Sequence, residues 1–206
     1  MDDVRDLHAL QRDALREVAN IGAGHAATAL SQLTNRTIMI SVPQVNIARI
    51  EEVPEVLGKP DDVIAAVLMH MMGDLTGRTL VVFPELSART LCDILLRKPF
   101  GTTKAFGAME QSGLKEVGNI LSSAYLNALS DFMGMMLVPS VPSLAIDLCG
   151  AVLTSTFMNF GFDRDYIFCV ETEFLLDDPN VHIRGHFLLL PDLASLRAIF
   201  DAIRLT

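Results

Sequence analysis

No apolar run in this chain is long enough to cross a bilayer. The longest stretches, such as 63–69 (VIAAVLM), reach about a third of the length a spanning helix needs. The N-terminus, MDDVRDLH, is acidic and lacks the pattern of a signal peptide. Together these absences predict a cytoplasmic protein with no membrane insertion. Cysteine is scarce: Cys92, Cys149 and Cys169 sit inside apolar runs with no CxxC spacing, which reads as buried, reduced thiols. Positive charge is also short. Sixteen Lys and Arg against 25 Asp and Glu leave a net charge of −9, and the basic residues are scattered rather than striped. That argues against nucleic acid and leaves open a protein partner with basic residues. Half of the 206 residues are hydrophobic and only 20% charged. The chain is therefore globular, one large domain or two intimate halves around a real core.

What the sequence does contain, it contains twice. Residues 15–43 (LREVANIGAGHAATALSQLTNRTIMISVP) align without a gap on 114–142 (LKEVGNILSSAYLNALSDFMGMMLVPSVP), with eleven of twenty-nine positions identical. The repeated polar set is Asp13, Glu17, Asn20 in the first copy and Ser112, Glu116, Asn119 in the second. A Ser-Val-Pro ending in Pro43 or Pro142 follows each at the same distance. A duplicated fold needs only its apolar pattern repeated, so a repeated solvent-side Glu and Asn point to two equivalent sites.

Helical periodicity runs over about 4–33, with Leu7, Leu10, Ala14, Val18 and Ile21 at spacings of three and four. Asp13, Glu17 and Asn20 fall within roughly 60° of one another, about 110° from that apolar stripe. Ser112, Glu116 and Asn119 form a similar stripe beside Val117, Ile120 and Ala124. After each helix come β-like runs: 37–42, 45–50, 63–70 and 78–83, with a turn at Gly73–Gly77, then 144–157 (broken near Gly150), 166–174 and 183–190. Helices at about 85–97 and 192–204 close the two repeats. The order predicts an α+β fold, duplicated with pseudo-two-fold symmetry and mostly antiparallel pairing. The repeats span about 4–98 and 108–206, joined by a linker at about 99–107.

Asn has mediocre helix propensity, so its repetition on an exposed helix face asks for a chemical reason. Its carboxamide donates and accepts hydrogen bonds without charge, which suits it to hold a water beside a polyanionic centre. A carboxylate there would repel phosphate oxygens. A neutral amide can orient the attacking water for in-line displacement, and a nearby Glu can pair with a partner's Lys. A lone E-x-x-N is ordinarily a solvated face, but two copies at identical spacing favour the functional reading.

The pattern Asp or Ser, three residues, Glu, two residues, Asn, twenty-two residues, Pro resembles the signature of the CheC family of chemotaxis phosphatases. Asp13–Glu17–Asn20–Pro43 matches it, and Ser112–Glu116–Asn119–Pro142 matches it again; the stretch NIGAGHAATALSQL resembles the family's first motif region. The resemblance implies a CheC-like fold with both motif helices exposed on one face. It also implies hydrolysis of the aspartyl phosphate on a response regulator, typically CheY. Asn20 and Asn119 would position water, Glu17 and Glu116 would contact the regulator's Lys, and Asp13 and Ser112 would support the contact surface. Mg²⁺ would belong to the regulator, with no cofactor or metal bound by this chain. The deamidase CheD is a second partner that the resemblance implies. His25 departs from the family's usual small polar residue. The rival reading is a non-enzymatic adaptor that binds CheD or takes part in a flagellar switch.

Other signals read as structure. Gly22-Ala23-Gly24 follows a helix and lacks a GK[ST], so close helix packing accounts for it better than a phosphate loop. His182 and His186 straddle Gly185 in strand-like sequence, without helical ligand geometry. Most of the ten methionines, including Met69, Met71, Met72 and the Met133–Met136 cluster, are expected to fill the core.

Overall fold

The computed structural model describes residues 9–41, 43–49, 52–158, 166–176 and 181–204. The seven-element order helix, strand, strand, helix, strand, strand, helix occurs twice. The first series is α1 (Ala9–Thr34), β1 (Ile38–Ile40), β2 (Gln44–Arg49), α2 (Val53–Leu57), β3 (Val63–Gly73), β4 (Gly77–Pro84) and α3 (Glu85–Leu95). The second is α4 (Ala108–Met133), β5 (Leu137–Pro139), β6 (Ser143–Leu148), α5 (Cys149–Met158), β7 (Tyr166–Leu176), β8 (His182–Pro191) and α6 (Leu193–Arg204).

All strands join one antiparallel sheet ordered β1-β7-β8-β4-β3-β5, with β2 also on β7 and β6 also on β3. The edges are exchanged: β1 and β2 flank the second hairpin, whereas β5 and β6 flank the first. At each edge the two short strands form one line interrupted by a bulge. Between the pairs Ile40–Phe174 and Gln44–Glu171 the numbering advances by four on the edge line but by three on β7. Residues 140–142 stand likewise opposite 69 and 70 on β3, between Pro139–Met71 and Ser143–Leu68. One extra residue flips the side-chain alternation. Ile38 faces the helices before the first bulge and Val45 and Ile47 do so after it.

The central strands read as continuous apolar runs because the sheet is covered on both faces. On β3, Ala65, Val67 and Met71 belong to the apolar cluster shared with α1, α3, α4 and α6, while Ile64 and Ala66 belong to the cluster shared with α2 and α5 on the other face. Two expectations need correction. Residues 149–158 are a helix, not a continuation of the strand at 144. Cys149, Val152, Leu153 and Thr156 recur at helical spacing and are buried together, all but Thr156 within the lower apolar cluster. Met69 and Met71 are buried and Met133 and Met135 pack against the core as expected, but Met72 and Met136, with Met39 and Met109, are exposed.

The apolar stripe of α1 is also rotated from the expected one. Leu15, Val18, Ala19, Ala23, Ala26 and Leu30 are buried, but Ile21 is 43% exposed. The side chain of Leu10 and all of Leu7 lie outside the described residues. The three cysteines are buried, and burial first, then nearby carboxylates, pushes the thiols of Cys92 and Cys169 up to about 12. The segment 99–107 is fastened rather than loose. Buried Asp93 accepts hydrogen bonds from the Gly101, Thr102 and Thr103 N–H groups and from both threonine hydroxyls, at 2.6–3.2 Å.

Candidate functional site

α1 and α4 lie side by side on the upper face of the sheet. Gly22 lets them approach: an added Cβ would sit 2.6 Å from Tyr125 Cδ1 and 3.1 Å from its Cα. Close packing therefore accounts for Gly22, as expected. Gly24 is different, since a Cβ there would meet nothing within 4 Å. Tyr125 is itself fixed, stacked on Phe187 at 4.5 Å and hydrogen-bonded through its hydroxyl to Thr172 at 3.1 Å.

This packing leaves the two polar sets on corresponding flanks. Asp13 and Glu17 are exposed and Asn20 half-buried; Ser112 and Glu116 are exposed and Asn119 half-buried. The match is position for position. At ~100° per residue, Asp13, Glu17 and Asn20 centre about 145° from the buried stripe of α1, which is farther toward solvent than the sequence stripe suggested. Asp13 forms an exposed ion pair with Arg16 at 3.0 Å. Among the described residues, the side chains of Glu17, Asn20, Glu116 and Asn119 form no hydrogen bond or ion pair. Ser112 carries no charge, so the second set has one fewer carboxylate than the first.

The flank that carries each set overhangs a sheet edge. Ser31 lies three turns along α1 from Asn20, within about 20° of its direction. Its hydroxyl bonds the N–H and the carbonyl of Ile38 on β1, at 2.9 and 3.0 Å. Ser130 holds the same place on α4, and its hydroxyl donates to the Met135 carbonyl just before β5. Each Glu–Asn pair thus looks over an edge strand and its Ser-Val-Pro bulge. Ser41 and Ser140 fasten the bulges alike, their N–H groups donating to the Glu173 and His70 carbonyls at 2.9 Å. Ser-Val-Pro is visible in the sequence as a repeat, but only the strand register places it beside the motif.

Free carboxamides on a helix flank can orient water, and free carboxylates beside them can pair with a cation brought by a partner. Among the described residues, no group of three His, Cys, Asp or Glu could hold a metal ion, and no helix is long and apolar enough to cross a membrane. The two histidines of β8 lie on the face away from the motif. His182 Nδ1 is 3.6 Å from Glu173, and His186 is buried with Nδ1 unpartnered. Desolvation lowers the His186 pKa, opposed by Glu171 and assisted by Arg184.

Comparison with known proteins converges on the same segments. The pattern of the CheC-like family matches residues 10–47 and 109–146, which contain both polar sets and both bulges. The chain is 35% identical to the CheY-P phosphatase CheC of Bacillus subtilis, over 94% of this chain and 93% of that protein. In fold it resembles the crystal structure of Thermotoga maritima FliY, with a TM-score of 0.77 at 18% identity, covering 97% of this chain and 98% of that one. It also resembles a chain in the FliG–FliM complex from H. pylori, with a TM-score of 0.67 at 15% identity, covering 95% and 100%.

Proposed function

The chain belongs to the CheC-like family, and we propose that it hydrolyses the aspartyl phosphate of a chemotaxis response regulator, CheY-P. The observation that carries this reading is the duplicated, unpartnered Glu–Asn pair on equivalent flanks of α1 and α4. Each asparagine enters the regulator's phosphorylated site and holds a water in line with the phosphorus–oxygen bond to the aspartate. Attack breaks that bond, giving inorganic phosphate and a free aspartate carboxylate. The amide orients the water without adding negative charge to a centre that already has it. Glu17 and Glu116 pair with a lysine on the regulator and so fix the pose, while Asp13 and Ser112 support the contact from one turn away. The Mg²⁺ required for such chemistry is carried by the regulator.

The test is decay of phosphorylated CheY from the same cell, with and without catalytic amounts of this protein. Faster decay is expected, and it should vanish in the Asn20→Ala/Asn119→Ala double variant. Unchanged decay with intact binding would overturn the hydrolase reading and leave an adaptor.

A further inference from the structure

We infer that the Ser-Val-Pro bulge beside Asn119 is part of the regulator-binding surface, with Val141 as the apolar contact that positions the partner over Glu116 and Asn119. This inference rests on the proposed function and adds a specificity residue to it.

Four observations carry it. First, Val141 is 88% exposed, more than the other exposed large hydrophobics of the described residues, although it sits within a sheet edge. An aliphatic side chain this exposed is available to a partner, and its place beside Asn119 gives that availability its meaning.

Second, the exposure is built in. The bulge sets three residues against two, and Ser140 holds it at three points. Its N–H donates to the His70 carbonyl at 2.9 Å, its hydroxyl accepts from the His70 N–H at 2.9 Å, and the same hydroxyl donates to the Val141 carbonyl at 3.2 Å. With the backbone of Val141 tied on one side and Pro142 fixing the next φ, the side chain projects outward from a stiff support.

Third, the bulge comes level with Asn119. The chain turns back at Gly134, which adopts a left-handed conformation (φ 64°), and β5 then β6 run back beneath α4. Six residues of extended chain from Met135 to Val141 cover about 20 Å, and eleven helical residues from Ser130 to Asn119 about 17 Å. A protein seated on Asn119 therefore has the bulge within reach.

Fourth, the tripeptide recurs at 41–43 in the sequence, the flanking pairs show the same offset, and the Ser41 N–H donates to the Glu173 carbonyl as that of Ser140 does to His70. Val42 lies outside the described residues, so the inference concerns Val141.

The experiment uses the full chain carrying Asn20→Ala, so that turnover of CheY-P reports the second site alone. Into it go Val141→Ser and Val141→Glu, with Val138→Ser as a control on the same edge strand, where alternation with the buried Leu137 turns it away from the helices. KM should rise at least tenfold in Val141→Glu and severalfold in Val141→Ser, with kcat within twofold and thermal melting unchanged. Val138→Ser should leave KM and kcat as they were. KM unchanged in both Val141 variants would overturn the inference while leaving the phosphatase reading intact. If no form hydrolyses CheY-P, that reading fails on its own. Titration with CheY carrying a phosphate analogue then decides the surface: affinity unchanged by Val141→Glu, or no binding at all, overturns it.

Discussion

Gly22 and Tyr125 meet where α1 packs on α4, so closely that a single methyl group at Gly22 would fall 2.6 Å from the tyrosine ring. The ring cannot swing away without leaving Phe187 and Thr172. Gly22→Ala should cost about 1–2 kcal/mol, overpacking outweighing the gain in helix propensity. Gly24→Ala, where the added carbon meets nothing, should instead stabilise by up to about 1 kcal/mol. Urea unfolding of the two variants checks both signs; equal shifts would refute the packing argument.

Asp93 fastens the connection between α3 and α4. Burial raises its carboxyl pKa, but hydrogen bonds from Thr103, Thr102 and Gly101 outweigh that and hold it below the ordinary carboxylate value. The folded form thus favours the carboxylate more than the unfolded chain does. Its contribution should be full above the unfolded pKa and lost as pH falls through the folded one. Asp93→Asn should cost about 1–3 kcal/mol at neutral pH and, relative to the parent, flatten the loss of stability as pH falls below about 4, the ordinary carboxylate value.

The opposite face gives a second acid-sensitive term. His186 is buried and desolvation depresses its pKa, so the unfolded chain takes up a proton before the folded one. Stability should fall as pH drops from the ordinary histidine value toward the depressed one. His186→Leu should remove that slope and match or exceed parental stability at pH 7, because Nδ1 has no partner to lose.

The two Glu–Asn pairs should act independently. Asn20→Ala or Asn119→Ala alone should leave about half of the CheY-P hydrolysis if the sites are equal, and the double variant none. All three should melt within about 0.5 kcal/mol of the parent, since these side chains have no partners among the described residues. Loss of all activity in one single variant would show that only that site works.

Much of this was legible in the sequence, for reasons that particular residues make plain. α1, α4, α3, α6 and the hairpins of β3–β4 and β7–β8 announce themselves through long apolar patterns and the Gly73–Gly77 turn. The sequence misleads where local signals are weak. CGAVLTSTFM is apolar and β-branched enough to pass for a strand, and only burial beneath the sheet reveals α5. Five-residue α2 is too short to show a period. Spacing puts Ile21 in the apolar stripe, but the close approach at Gly22 turns α1 so that Ile21 faces out. The polar sets could be found because they recur. Their setting could not, because the bulges exist only in the pairing of β1–β2 with β7 and of β5–β6 with β3.

The exchange of edge strands sets a timetable for biosynthesis. As the chain leaves the ribosome, β3 and β4 can form a hairpin. The strands that cover β3, and β8, which covers β4, are synthesised only after residue 136. β1 and β2 emerge early and wait for β7, more than a hundred residues later. No stable sheet is available to the nascent first copy alone, and both Glu–Asn flanks become ordered in one late, cooperative event. A truncated product should therefore carry neither a half-active site nor a half-folded one.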